Sequence, residues 1–442
     1  MNLLELSASA ATAAIDAGQT NSQELVQAYI NQINAYEEAV GAWQHFDADY
    51  ALTQAREADL LRKSGHRIGP LHGVPVGIKD IFDTKDFPTE DGTVIHEGRT
   101  PAYDAAAVEF LRKSGAIIMG KTVTAEFAFS SPGKTRNPHD ASRTPGGSSS
   151  GSAAAVAANM VPLALGSQTN GSTIRPASYC GVVGYKPSYG SISRYRVLQQ
   201  SLRLDQVGVF ARDVQDAGLM AEALMIYDAR DPAMRARMAP NIQELIDVEP
   251  VVPPRLAYVK TPAWDQADSD VQEGFTELVG FLGKSVEELD LTDLLEEVYQ
   301  WHQTIMEVDI AKSFMRDYNR SKDAMSPVLC DVIERGKGYL AMDYNVAVEH
   351  IEALNKAMQE IMLEYDAILT PAATSEAPSG LESTGSPVFC TPWTFCGMPA
   401  ITLPLMQGSN NMPVGVQLVS AKGDDARLLR TANWLNKLVI NV

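Results

Sequence analysis

The chain has 442 residues, 45% of them hydrophobic, enough to bury a sizeable core and to fill about one to three domains. Its 36 basic residues against 55 acidic ones leave a formal charge of −19, a field that repels phosphate backbones and anionic lipid headgroups. Direct binding of nucleic acid or of a membrane surface is therefore excluded as the default.

The opening MNLLELSASAATAA lacks a basic start and carries Glu5, and no run of about eighteen apolar residues occurs. Neither export nor a membrane anchor is expected, and a cytoplasmic location follows. Residues 21–35 read as an amphipathic helix: Asn21 and Glu24 supply a cap, and Leu25, Val26, Tyr29, Ile30 and Ile33 share a face. With the rest of residues 1 to about 60 it forms a helical region that docks on the body. In GPLHGVPVGIK, 69–79, the alternation turns Val74, Val76 and Ile78 one way and Pro75, Gly77 and Lys79 the other. Asp104 is placed to cap a helix through Ala107, Val108 and Leu111 that stops at Gly115, with Ala116–Met119 as a short buried strand.

Farther along, 153–158 predicts helix and 161–165 an extended run. The span from about 227 to 345 has helical stretches and acidic clusters with few motif signals, and it is expected to carry elements specific to the substrate. EPVVPPR, 249–255, is not taken as a domain boundary, since strands are expected on both sides of it. Residues 345–365 predict a helix, followed by strands in DAILTP, PAITLPL and PVGVQLV. This alternation predicts an α/β fold, one domain over 1–442 with helices covering a sheet. The four cysteines, at 180, 330, 390 and 396, have neither C-x-x-C spacing nor histidine pairs nearby, so no zinc site and no disulfide framework are expected.

Two motifs are misleading. Gly115 to Thr122 satisfies G-x-x-x-x-G-K-[ST], but a phosphate-cradling loop follows a strand and opens a helix, whereas here a helix precedes and the residues before Lys121 are strand-like. A nucleotide-binding regulatory module built on Lys121 is the least favoured reading. Ser149 fits G-x-S-x-G, yet a loop of turn formers precedes it, and the histidines, at 45, 66, 72, 96, 139, 302 and 350, each read as surface or satisfied interior residues.

Without histidine, lysine is the remaining base for a serine, and it works only when neutral. Its pKa must fall by roughly three units, about 4 kcal/mol against the ammonium form, which burial beside apolar groups can supply. Lys79 is placed for that role; the alternative is a strand-end lysine paired with Asp80 at the surface. GVPVGIKD (73–80), PGGSSSGSAAAVAANMVPLALGSQTNGSTIRPASYCGVVGYKPS (145–188), DAILTPAATSEAP, GMPAITLPL and MPVGVQLVS, in this order, resemble the amidase signature family. The resemblance implies a large twisted mixed β-sheet covered by helices on both faces, and a catalytic triad of Lys79, Ser148 in a cis peptide and Ser172, 24 residues after Ser148. Ser148 would relay the proton, Ser172 would attack an amide carbonyl, and no metal or other cofactor would be required. Thr169, Asn170, Gly171 and Ser172 would form the oxyanion hole from backbone N–H groups, with Asn170 where the family usually has glycine. Ser149 would orient the relay by hydrogen bonding, or be a plain loop serine.

Arg175 lies three residues after Ser172, a spacing associated with malonamidase-like relatives, in which the arginine grips a substrate carboxylate. The expected substrate is thus a small amide with a nearby carboxylate, of malonamate, succinamate or allophanate/carboxybiuret type, releasing ammonia; an Arg175 bound to backbone carbonyls or a neighbouring acid is the competing role. The alternative function is the glutaminase (A-type) subunit of a tRNA-dependent amidotransferase, which leaves RNA to partner subunits. A homodimer and a small accessory subunit both stay open.

Overall fold

The computed structural model describes residues 1–440. Alternating apolar residues sort onto the two sides of one sheet of eleven strands: β1 (Trp43–Phe46), β2 (Pro75–Lys79), β3 (Ile117–Thr122), β4 (Leu163–Gln168), β5 (Val183–Lys186), β6 (Gln206–Ala211), β7 (Leu256–Tyr258), β8 (Val286–Glu288), β9 (Ala367–Pro371), β10 (Ala400–Gln407) and β11 (Pro413–Val419). Their spatial order is β1-β3-β2-β4-β6-β5-β10-β11-β9-β7-β8. Parallel pairs at β3-β2-β4 and β9-β7-β8 flank an antiparallel centre, so the sheet is mixed.

Strand period decides which core each residue joins. Val76, Ile78, Leu163, Leu165, Val209, Ile401 and Val416 belong to one cluster running along a whole face of the sheet. Their neighbours Ala164 and Phe210 face a second core, and Ala257, Ile368 and Ala400 a third. Helices cover both faces: α4 (Ala106–Lys113) and α7 (Val214–Leu224) the first, α2 (Ser22–Val40) and α5 (Ser150–Ala157) the second core, and Val298–Ser321 with Ala341–Ile361 the third. Among the described residues no helix is long and apolar enough to cross a membrane.

The amphipathic helix read at 21–35 runs over Ser22–Val40. Asn21 caps α2 by accepting the Glu24 N–H, and Leu25, Val26, Tyr29, Ile30 and Ile33 are buried. The start of α1 (Ala8–Asp16) is held by Asp216, whose carboxylate accepts the N–H groups of Ala8 and Ser9 at 2.5 and 3.1 Å. Three expectations are corrected. Asp104 does not cap α4: its carboxylate accepts the Lys85 N–H at 2.9 Å and pairs with Arg112 at 3.0 Å, while Ala105 occupies the cap position without a side-chain bond. The strand expected at Ala116–Met119 runs instead over Ile117–Thr122, and the one expected at 161–165 over Leu163–Gln168. Within the 227–345 span, β7 and β8 complete one edge of the sheet.

Candidate active site

Strand β2 ends by carrying Lys79 into the interior, where its side chain is 0% exposed. Its Nζ lies within hydrogen-bond reach of Ser148 Oγ and Ser167 Oγ, 2.8 Å from each. The surface pair with Asp80 does not form, because Asp80 faces Lys121 at 3.1 Å. Burial pushes the Lys79 amine well below its usual range; the Asp205 carboxylate acts against that, and the Arg175 guanidinium adds to it. An amine so placed is equipped to take a proton from a neighbouring hydroxyl.

The Gly147–Ser148 peptide is cis. Two contacts fix the segment: Ser148 O accepts the Ala125 N–H at 3.1 Å, and Arg175 Nη2 donates to Gly147 O at 2.7 Å. Arg175 also donates to Thr384 Oγ1 at 3.2 Å, and its buried Nε has no hydrogen-bond partner among the described residues. No carboxylate pairs with it among the described residues, and burial lowers its pKa. Binding to a backbone carbonyl, the competing role for Arg175, is thus seen in the structure. No hydrogen bond joins the Ser149 hydroxyl to Ser148 among the described residues. The Ser149 hydroxyl donates to Ser167 O at 3.2 Å and accepts Ser167 N–H at 3.3 Å, tying the serine-rich loop to β4.

Beyond Gln168 the chain leaves β4 and reaches Ser172 just before α6 (Ile174–Cys180). The backbone N–H groups of Thr169, Asn170, Gly171 and Ser172 have no acceptor among the described residues, as an anion-receiving loop requires. No hydrogen bond joins Ser148 to Ser172 among the described residues. Asn170 does not adopt a left-handed backbone; instead its side-chain oxygen accepts from Thr391 Oγ1 at 2.8 Å and its carbonyl accepts from Thr394 Oγ1 at 2.5 Å. At Gly171 an added Cβ would lie 2.8 Å from Pro387 Cβ, so close approach is what requires glycine there.

Several supporting residues are not apparent from sequence reasoning. Ser167 shares Lys79 with Ser148. Gln168 Oε1 accepts the N–H groups of Thr173 and Ile174 at 2.8 and 3.0 Å, satisfying the start of α6. Asp205 accepts from Thr169 Oγ1 at 2.7 Å, and burial raises its carboxyl to about 6. His302 donates Nε2–H to Thr169 O at 3.0 Å, and burial lowers its pKa to about 4, so it is neutral. Ser167 and Gln168 lie within the long motif, which signals the region though not their roles, and Asp205, 17 residues beyond its end, gave no signal. His302, Thr391 and Thr394 gave none.

Lys121 lies fully buried on β3, donating to Phe82 O at 2.9 Å and Thr89 Oγ1 at 2.6 Å besides its pair with Asp80. A strand interior with every donor engaged leaves no phosphate cradle there.

The Amidase family profile matches residues 24–429. The chain belongs to the amidase family. It is accordingly an enzyme acting on amide C–N bonds, as the relatives are. It is 34% identical to the A-type subunit of the glutamyl-tRNA(Gln) amidotransferase of Thermobifida fusca, over 96% of this chain and 94% of that one. With the corresponding amidotransferase chain from Lachnospira eligens it shares 33% identity over 95% of each chain. Among solved structures, the amidase superposes with a TM-score of 0.91 at 26% identity on a protein of a vestigial complex bearing on the origins of an s-triazine catabolic enzyme, covering 98% of both. The peptide amidase of Stenotrophomonas maltophilia gives 0.84 at 26% identity, covering 99% of this chain and 97% of that one.

Proposed function

We propose that this amidase cleaves a small primary amide through an acyl-enzyme on Ser172, with Ser148 as proton relay and Lys79 as base. The observation that carries the reading is the Lys79 amine, shut from solvent and 2.8 Å from Ser148 Oγ. Ser172 Oγ attacks the carbonyl carbon while its proton passes to Ser148 and the proton of Ser148 passes to Lys79. The relay closes when substrate draws Ser172 toward Ser148, since catalytic hydrogen bonds are often long in the unliganded state. The oxyanion is received by the N–H groups of the 169–172 loop. Collapse breaks the C–N bond; the nitrogen takes back the relayed proton and leaves as ammonia. Water then attacks the ester by the same route, freeing the acid and restoring Ser172.

For the substrate, the amidotransferase relatives support glutamine, hydrolysed by this chain as an A-type subunit that hands ammonia to its partners. One observation favours a second reading, a free-standing amidase for malonamate, succinamate or an allophanate/carboxybiuret-type compound. Arg175 is a buried cation without a carboxylate among the described residues, three residues from Ser172, and an incoming carboxylate is its natural partner. Ammonia release from glutamine, malonamate, succinamate, allophanate and propionamide, with Ser172→Ala as blank, separates them. Turnover of glutamine above the rest supports the amidotransferase reading, and turnover of the short acidic amides without glutamine supports the second. Equal losses on acidic and neutral amides in Arg175→Ala would exclude the carboxylate clamp; no Ser172-dependent ammonia from any of them would sink the chemistry.

A further inference from the structure

Bordered by Phe395 at the end of the segment that steadies the oxyanion loop lies a second cleft, of about 930 Å³ and lined by none of Lys79, Ser148 or Ser172. Five cations line it, Arg203, Arg235, Arg237, Lys356 and Lys422, against one carboxylate, Glu352. On a chain of formal charge −19 this is a local inversion of the field. None of the five is in an ion pair among the described residues; Arg237 donates to Ser191 Oγ at 2.5 Å, and Lys422 Nζ stands over the Tyr189 ring at 5.2 Å from its centroid. The cations also crowd one another. Burial lowers the Lys422 amine, Cys396 opposing it, and Arg235 and Arg237 add to the lowering against Glu352.

The floor is built for close approach. Gly397 has φ +64°, and an added Cβ there would lie 2.7 Å from Tyr189 Cβ and 3.7 Å from Lys422 Nζ. Asn355 Nδ2 donates to Cys396 O at 2.7 Å and Tyr189 N–H to Gly397 O at 2.9 Å, so the floor is held from two sides. Mutual repulsion of like charges works against the folded state, and a bound anion relieves it. Arginine forks match the paired oxygens of phosphate or carboxylate, while the Tyr189 and Phe395 rings offer an apolar wall.

We infer that this cleft is a binding site, separate from the amidase centre, for a small multivalent anion bearing phosphate or carboxylate groups. The site lies beside the short helix Thr391–Phe395, whose Thr391 and Thr394 hold Asn170 of the oxyanion loop, so its occupant is positioned to be felt there.

Calorimetric titration of the full chain at low ionic strength with pyrophosphate and with citrate tests the inference and distinguishes the two chemistries. Wild type is expected to give saturable one-to-one binding of at least one probe, weakened at least about tenfold by Arg235→Ala with Lys356→Ala, two exposed side chains whose removal leaves no buried partner. Lys260→Ala, which removes an exposed cation paired with Glu288 elsewhere, should bind as wild type does. The inference is overturned by absence of saturable binding of both probes to wild type. It is equally overturned by a double variant that binds as wild type does, or by Lys260→Ala weakening binding as much as the double variant.

Discussion

Replacing Ser167 by alanine isolates the hydroxyl that shares Lys79 with Ser148. In the native site Lys79 Nζ lies 2.8 Å from each oxygen and is closed to solvent. A neutral amine has two N–H bonds and one lone pair, so an N–H committed to Ser167 leaves the lone pair free to aim at the Ser148 hydroxyl. Removing that anchor forfeits a hydrogen bond worth about 0.5–1.5 kcal/mol net, and a buried donor left unmade costs about 1–3 kcal/mol. If the reacting geometry bears that loss, at about 1.36 kcal/mol per factor of ten, kcat/KM falls roughly 10- to 100-fold. The assay is ammonia release over a range of substrate concentrations, with thermal unfolding measured alongside. The loss should fall on kcat and leave KM nearly unchanged, since Ser167 acts on the base. Ser167→Thr, which retains a hydroxyl, should recover part of the activity. A Ser167→Ala enzyme within about twofold of wild type in kcat/KM would refute the reasoning.

Arg175→Gln removes the cation that helps burial keep Lys79 neutral, so the lysine stays protonated to higher pH; the acid limb of the kcat/KM profile should move to higher pH, and a shift to lower pH would count against this electrostatic role. His302, lowered from 6.5 to about 4, stays unprotonated in the native state while the unfolded chain takes up a proton between those values. Stability is therefore lost on acidification through that window, by up to about 3 kcal/mol, and His302→Gln should flatten the slope in urea denaturation; an unchanged slope would assign the loss to other groups. Lys121→Ala strands the buried Asp80 carboxylate and should destabilise the fold by about 3–5 kcal/mol, while ATP should leave the melting temperature of wild type unchanged; an ATP-induced rise would restore the nucleotide reading.

The sequence by itself determined the faces of the strands and the residues available for the chemistry. Alternation in 74–79 separates Val76 and Ile78 from Lys79 because successive side chains of a strand point oppositely, and the structure keeps that division, with the first two in the apolar core and the lysine among hydroxyls. The amphipathic period of α2 likewise follows from local geometry alone. Asp104 was misread because its carboxylate is claimed by Lys85 and Arg112, partners that a cap pattern does not include. Tertiary structure alone decided the environment of the lysine: Ser148 and Ser167 reach it from 69 and 88 residues away along the chain, and Arg175 turns its guanidinium to Gly147 O across 28. The physical reason is that a side chain's direction is set by its own backbone, whereas its protonation and its partners are set by the charges and solvent exclusion that distant segments bring to it.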